Sequence, residues 1–281
     1  MLLSDKYPFL TNYFTEALSA NNRPIPQSIL FYGNDLDAQF TLSQEIARLL
    51  NCSGNKADDC NCLNCRWIRE NNHPAVMTIS RIDNKPEDDD SKTVISIKQS
   101  AYIKETLVNA SDFHRVFIFC DKDDDGNIQG LNQTNFQSET ANSLLKIIEE
   151  PQPGVTFIFL TRYIEDLLPT IISRSQCFFV PTLDKPNEDF SIILGTFDNY
   201  WNFKRQETFD ISQKLQDLSK EHPPIKILEA IQFYILSILK ENPSRIDFIK
   251  HLEMVEICKK QAKLGIKPVN IFDNLCLKLI N

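Results

Sequence analysis

Along the first two thirds of the chain, short unbroken apolar runs are separated by stretches in which apolar residues recur every three or four positions. Residues 28–33 (SILFYG) form one such run, closed by glycine, and residues 41–50 (TLSQEIARLL) carry helical spacing, so the pair predicts strand, loop and helix. Residues 76–79 (VMTI), 115–120 (RVFIFC), 155–161 (VTFIFLT) and 177–180 (CFFV) predict further strands, and the continuous runs among them suit strands buried on both faces. Helices are expected at 97–110, at 138–150, where Ser138 would cap the start and Pro151 the end, and at 167–172. Strands alternating with helices over residues 1–182 imply an α/β domain with a parallel sheet covered on both sides. Beyond Pro181 only helical periodicity remains, as at 225–240 and 247–264, broken by Pro223, Pro224, Pro243 and Pro268.

A length of 281 residues fits about two domains, and 42% hydrophobic with 24% charged residues is globular composition. The net charge of −8 argues against nucleic-acid binding through the overall field of the chain, since phosphate contacts need clustered Lys and Arg. No apolar run approaches the roughly 18 residues of a membrane span, and the opening MLLSDKYPFL lacks a secretory pattern, so a soluble cytoplasmic protein without membrane contact is expected. Two acidic stretches, residues 81–92 and 121–140, read as solvated loops.

The strand, loop and helix at 28–50 form the setting of a phosphate-binding P-loop, in which backbone N–H groups wrap phosphates, a Lys neutralises them and a hydroxyl holds magnesium. Here the loop runs from Gly33 to Thr41, Gln39 stands at the Lys position, and using Thr41 as the hydroxyl would put Phe40 there instead. Asp35 and Asp37 place anions where a triphosphate would lie. The run at 116–122 (VFIFCDK) ends in Asp121, an acid suited to magnesium, but Lys122 replaces the acid that would orient water. Neither bound nucleotide nor hydrolysis by this chain is expected.

Four of the eight cysteines, Cys52, Cys60, Cys62 and Cys65, crowd into fourteen residues as C-x7-C-x-C-x2-C. Such clustering suits a structural zinc ion over free thiols, and disulfides least.

Residues 141–151 (ANSLLKIIEEP), followed by FIFLT at 157–161, LLPTI at 167–171 and Ser173-Arg174, resemble the delta prime family of the bacterial DNA polymerase III clamp loader, relatives of the gamma/tau motors in the AAA+ class. Residues 26–33, Asn51-Cys52 and His73-Pro74 agree with it, and residues 268–279 are similar to its last helix. The resemblance implies an AAA+ P-loop-like domain over 1–182 with a zinc-binding insertion at 52–65, a shortened helical lid or linker at 183–220 and a helical collar at 221–281. It implies that Arg174, with Ser173, is an arginine finger presented in trans to ATP on a neighbouring subunit. In this chain Ser175 follows the Arg where the family has Cys, and the first two cysteine gaps are each one residue shorter than the family's C-x8-C-x2-C-x2-C. Implied partners are gamma/tau ATPase subunits, the delta subunit and, through the assembly, the sliding clamp and primed DNA. Alternatives are an active ATPase of the gamma/tau type, a zinc-dependent hydrolase using the cysteines with His73, and an interaction protein on this scaffold in another assembly.

Overall fold

The computed structural model describes residues 7–19, 25–182, 195, 200, 205–242, 245 and 247–279. Helix α1 (Pro8–Ser19) leads into β1 (Ser28–Tyr32) and α2 (Leu36–Asn51); α3 (Leu63–Arg69), β2 (Val76–Ile79), α4 (Ile97–Val108) and β3 (Arg115–Phe119) follow. A two-stranded antiparallel hairpin of β4 (Asp121–Lys122) and β5 (Ile128–Gln129) precedes α5 (Ser138–Glu149), β6 (Val155–Thr161), a 3-10 turn at Ile164–Asp166, α6 (Pro169–Ile172) and β7 (Gln176–Phe179).

Five strands make one parallel sheet in the order β2-β3-β6-β1-β7. All seven residues of β6 are buried, as befits a central strand sandwiched between helices. Phe117 stacks on Phe157 at 5.4 Å and Phe119 on Phe159 at 4.9 Å, building a core on one face with Ile103 and Leu107 of α4 and Ala141, Leu144 and Ile148 of α5. The period-two alternation of a strand turns Ile118, Ile158 and Leu160 to the opposite face, where α2 packs over β1, β3 and β6. The chain therefore alternates across the sheet, and the carboxyl ends of β1, β3 and β6 come to one edge, where open α/β sheets place their ligands.

Contacts divide the molecule into two compact units. One covers Leu10–Val180. The other takes in the described residues from Pro181 onward with residues 7–9, and consists of α7 (Arg205–Leu218), α8 (Pro224–Glu241), α9 (Asp247–Lys263) and α10 (Pro268–Leu279). In this second unit α8 packs on α9, α9 on α10 and α7 on α10, and Ser212 donates to the Asp273 carboxylate at 2.5 Å. Lys259, nearly buried, gives its ammonium to Gln232 at 2.7 Å and to Glu256 at 3.1 Å. Most of the segment read as lid or linker, residues 183–194, 196–199 and 201–204, lies outside the described residues. Its remainder includes α7, seated on the last helix.

Two expected details differ. The N-cap position of α5 is Gln137, which makes no side-chain cap hydrogen bond, with Ser138 already inside the helix and its hydroxyl on Glu139. Residues 121–140, expected as open loop, carry the β4–β5 hairpin, whose Asp123 carboxylate accepts from the backbone N–H groups of Asp125 and Asn127 at 3.1 and 2.8 Å.

Candidate functional site

The segment expected to form a loop from Gly33 to Thr41 is much shorter in the structure. Only Gly33, Asn34 and Asp35 join β1 to α2, because the helix already begins at Leu36. Asp35 is its cap and accepts from the backbone N–H of Ala38 at 3.0 Å, so the helix N-terminus that would face a phosphate is satisfied by a carboxylate of the chain itself. Thr41 sits a full turn inside the helix, with its hydroxyl on the Asp37 carbonyl at 2.8 Å.

Gln39 is fully buried. Its amide donates to the Gly33 carbonyl at 2.8 Å and the Thr161 carbonyl at 3.2 Å, tying the first turn of α2 to the ends of β1 and β6. Gly33 adopts φ +131°, and a Cβ there would lie 2.1 Å from the Val180 carbonyl oxygen, so backbone passes where a side chain would have to be.

Asp121 is buried at the head of the hairpin, two residues past the end of β3. One carboxylate oxygen accepts from Asn135 at 3.0 Å. The other has no hydrogen bond, and Arg81 stands 3.6 Å away, an ion-pair distance beyond hydrogen-bond reach. Lys122 pairs with Asp83 at 2.8 Å.

Arg174 follows α6 at the surface of the same unit. Its Nε donates to Glu149 at 2.6 Å, its Nη2 also pairs with Glu149, and its Nη1 donates to the Thr170 carbonyl at 3.0 Å and to the Ser173 hydroxyl at 3.2 Å. Ser175 donates to the Ile171 carbonyl at 2.9 Å and so accepts from Ser28 of β1 at 2.8 Å. The serine thus anchors the turn that bears the arginine to the sheet. Glu149 is a partner that sequence reading missed, although it lies in the motif that carried the resemblance.

The cysteines form a second cluster. Their four sulfurs lie within 4.8 Å of one another, and they are the metal-capable group among the described residues. The Cys52 sulfur is 3.5 Å from that of Cys60 and 3.9 Å from that of Cys62. Zn–S bonds of about 2.3 Å in a tetrahedron put sulfurs roughly 3.8 Å apart, so the four residues fit a zinc ion. A Cβ on Gly54 would come within 2.6 Å of the Cys60 sulfur, which leaves that position to glycine.

The backbone N–H of Cys65 pulls the Cys62 thiol down to about 5, and that of Cys62 lowers Cys60, whereas burial pushes Cys65 up to about 12. Arg48, another residue the pattern did not single out, is buried with its Nη1 at 3.8 Å from the Cys65 sulfur and 3.0 Å from the Ala57 carbonyl. Its guanidinium pairs with Glu45, and its bond to the Ala57 carbonyl fastens the cysteine loop to α2. His73 stands apart from the sulfurs. Its Nδ1 accepts from the backbone of Ala75 at 3.2 Å, its ring meets Phe113 edge-on at 5.0 Å, and burial lowers its pKa.

The family model described as DNA polymerase III, delta subunit, matches residues 8–184. The chain belongs to this family. It is similar to the DNA polymerase III subunit delta' of Bacillus subtilis, 25% identical over 167 residues that make up 59% of this chain and 45% of that one. It is also similar to the gamma/tau subunit of Mycoplasma genitalium, 30% identical over 162 residues, 57% of this chain and 24% of the other. The matched stretch thus spans less than half the length of either curated relative. A gamma subunit-related protein of Thermotoga maritima overlays 96% of this chain and 99% of its own at 17% identity, with a TM-score of 0.39. No helix among the described residues is long and apolar enough to cross a membrane.

Proposed function

We propose that the chain is a clamp-loader subunit of the delta prime type, which binds no triphosphate of its own and lends Arg174 to ATP held by an adjacent gamma/tau ATPase. The observation that carries this reading is the packing at the end of β1, where a three-residue connection, the Asp35 cap and buried Gln39 occupy the ground a phosphate-binding loop would need. With no cation in that loop and Lys122 in place of a water-orienting acid, ATP has neither charge partner nor base there. Arg174, by contrast, is at the surface on a turn fixed to the sheet through Ser175.

A guanidinium reaching in from a neighbour stabilises charge on the transferring phosphoryl group. In this reading the chain is no ATPase by itself. It forms a fixed wall of a ring with gamma/tau and delta subunits, and that ring opens the sliding clamp and loads it on primed DNA. Zinc on Cys52, Cys60, Cys62 and Cys65 is structural, since four thiolates leave no open position for water. The helices beyond Pro181 serve assembly as lid or linker and collar.

The test is a reconstituted loader carrying Arg174→Ala. Its DNA-stimulated ATPase is expected to fall at least about tenfold, within the range of up to roughly 10³ to 10⁵ known for arginine fingers. Unchanged turnover would remove the role. The 30% identity to a gamma/tau subunit supports a second reading, an active motor, which requires magnesium-dependent ATP binding by this chain.

A further inference from the structure

The geometry points to Glu149 as a positioning residue that holds the Arg174 guanidinium off the neighbour's phosphates until the assembly is engaged. This inference rests on the finger role proposed above. A guanidinium carries five N–H donors. In this chain Nε donates to Glu149, both donors of Nη1 go to the Thr170 carbonyl and the Ser173 hydroxyl, and Nη2 lies in ion-pair contact with the same Glu149 oxygen. The edge formed by Nε and Nη2, which would make a two-pronged contact with a phosphoryl group, thus faces Glu149.

The two Nη1 contacts are to groups of the turn itself, which travel with the arginine. Glu149 is different. It is the last residue of α5, 25 positions away in sequence, and it is the only carboxylate among the ion partners of Arg174 in the described residues. Like a triphosphate, it is an anion, and it occupies the edge of the guanidinium that offers paired donors. Carboxylate and phosphate therefore compete for the same edge, and the arginine reaches across only when it exchanges one for the other.

The strength of the pair suits a reversible hold. The side chains are 33% and 45% exposed, so water and salt screen the attraction and a polyanion can displace it. A buried pair would lock the finger; a missing one would leave it free to fire on any nucleotide-loaded neighbour. Because α5 ends at Glu149 and α6 ends just before Arg174, a small shift of one helix against the other would lengthen the pair, which gives the ring a way to couple its closure to release.

The experiment compares Glu149→Gln, Glu149→Asp, Arg174→Ala and the double variant E149Q/R174A in the reconstituted loader, measuring ATPase turnover without clamp and DNA. Assembly of each variant is verified by size. Glu149→Gln keeps the shape and loses the charge, and is expected to raise kcat/KM about two- to fivefold, the range set by a partly exposed ion pair. Glu149→Asp, which keeps the charge, is expected near the wild type. The gain should vanish in the double variant, which should match R174A alone; a merely structural role for Glu149 would act equally in both backgrounds. If R174A lowers turnover while E149Q leaves it unchanged or lowers it, or if the E149Q gain survives without the arginine, the hold is overturned and the finger stands. If R174A itself changes nothing, the finger reading falls and the hold with it.

Discussion

Glycine at position 33 has no substitute, because φ +131° and a backbone oxygen 2.1 Å from any added Cβ act together. Gly33→Ala is expected to cost about 2–4 kcal/mol, read by denaturant unfolding at unchanged m value. A variant as stable as the parent would mean that the end of β1 packs otherwise. Gln39 makes a sharper case, since replacing it with Lys restores by sequence the cation that a P-loop has. Its site faces two carbonyls with no room for phosphate, so Gln39→Lys is expected to lose about 1–3 kcal/mol of stability and to gain no ATP binding. Recovery of nucleotide binding would show that only the charge was missing.

Among the elements, α4 opens with a reciprocal cap: the Ser96 hydroxyl accepts from the Gln99 backbone, and the Gln99 side chain accepts from the Ser96 backbone at 3.0 Å. Ser96→Ala is expected to lose about 1 kcal/mol in thermal or chemical unfolding. The cysteine loop should carry close to one equivalent of zinc in metal analysis of the purified chain, and Cys65→Ser should lose it along with several degrees of melting temperature. Less than half an equivalent in the parent would count against the site. Strands β1, β2, β3, β6 and β7 and the helices that flank them were legible because long apolar runs and a 3.6-residue period are strong signals. Helix α2 was read to begin five residues too late, since Gly33, Asp35 and Asp37 look like loop chemistry. In fact Asp35 is a cap and Asp37 lies in the first turn, where the helix dipole favours an acid. The β4–β5 hairpin escaped notice because strands of two residues have no period, and α1 and α3 were not read as helices at all. The candidate residues could be named one at a time from the sequence, yet the neighbours the structure gives them, Glu149 for Arg174 and Arg48 for Cys65, depend on contacts that no local pattern encodes.

At the scale of the molecule, a parallel sheet of nucleotide-binding type is joined in one chain to a helical unit, and the family match covers chiefly the first. The sheet edge that would normally serve ATP is closed by the chain's own side chains, while a guanidinium stands at the surface at the opposite end of the strands in the same unit, next to the start of β1. Everything proposed about the assembly follows from that asymmetry, and titration of the purified chain with ATP and magnesium by calorimetry tests it most directly. The account predicts no saturable heat up to millimolar nucleotide; magnesium-dependent binding in the micromolar range would contradict it.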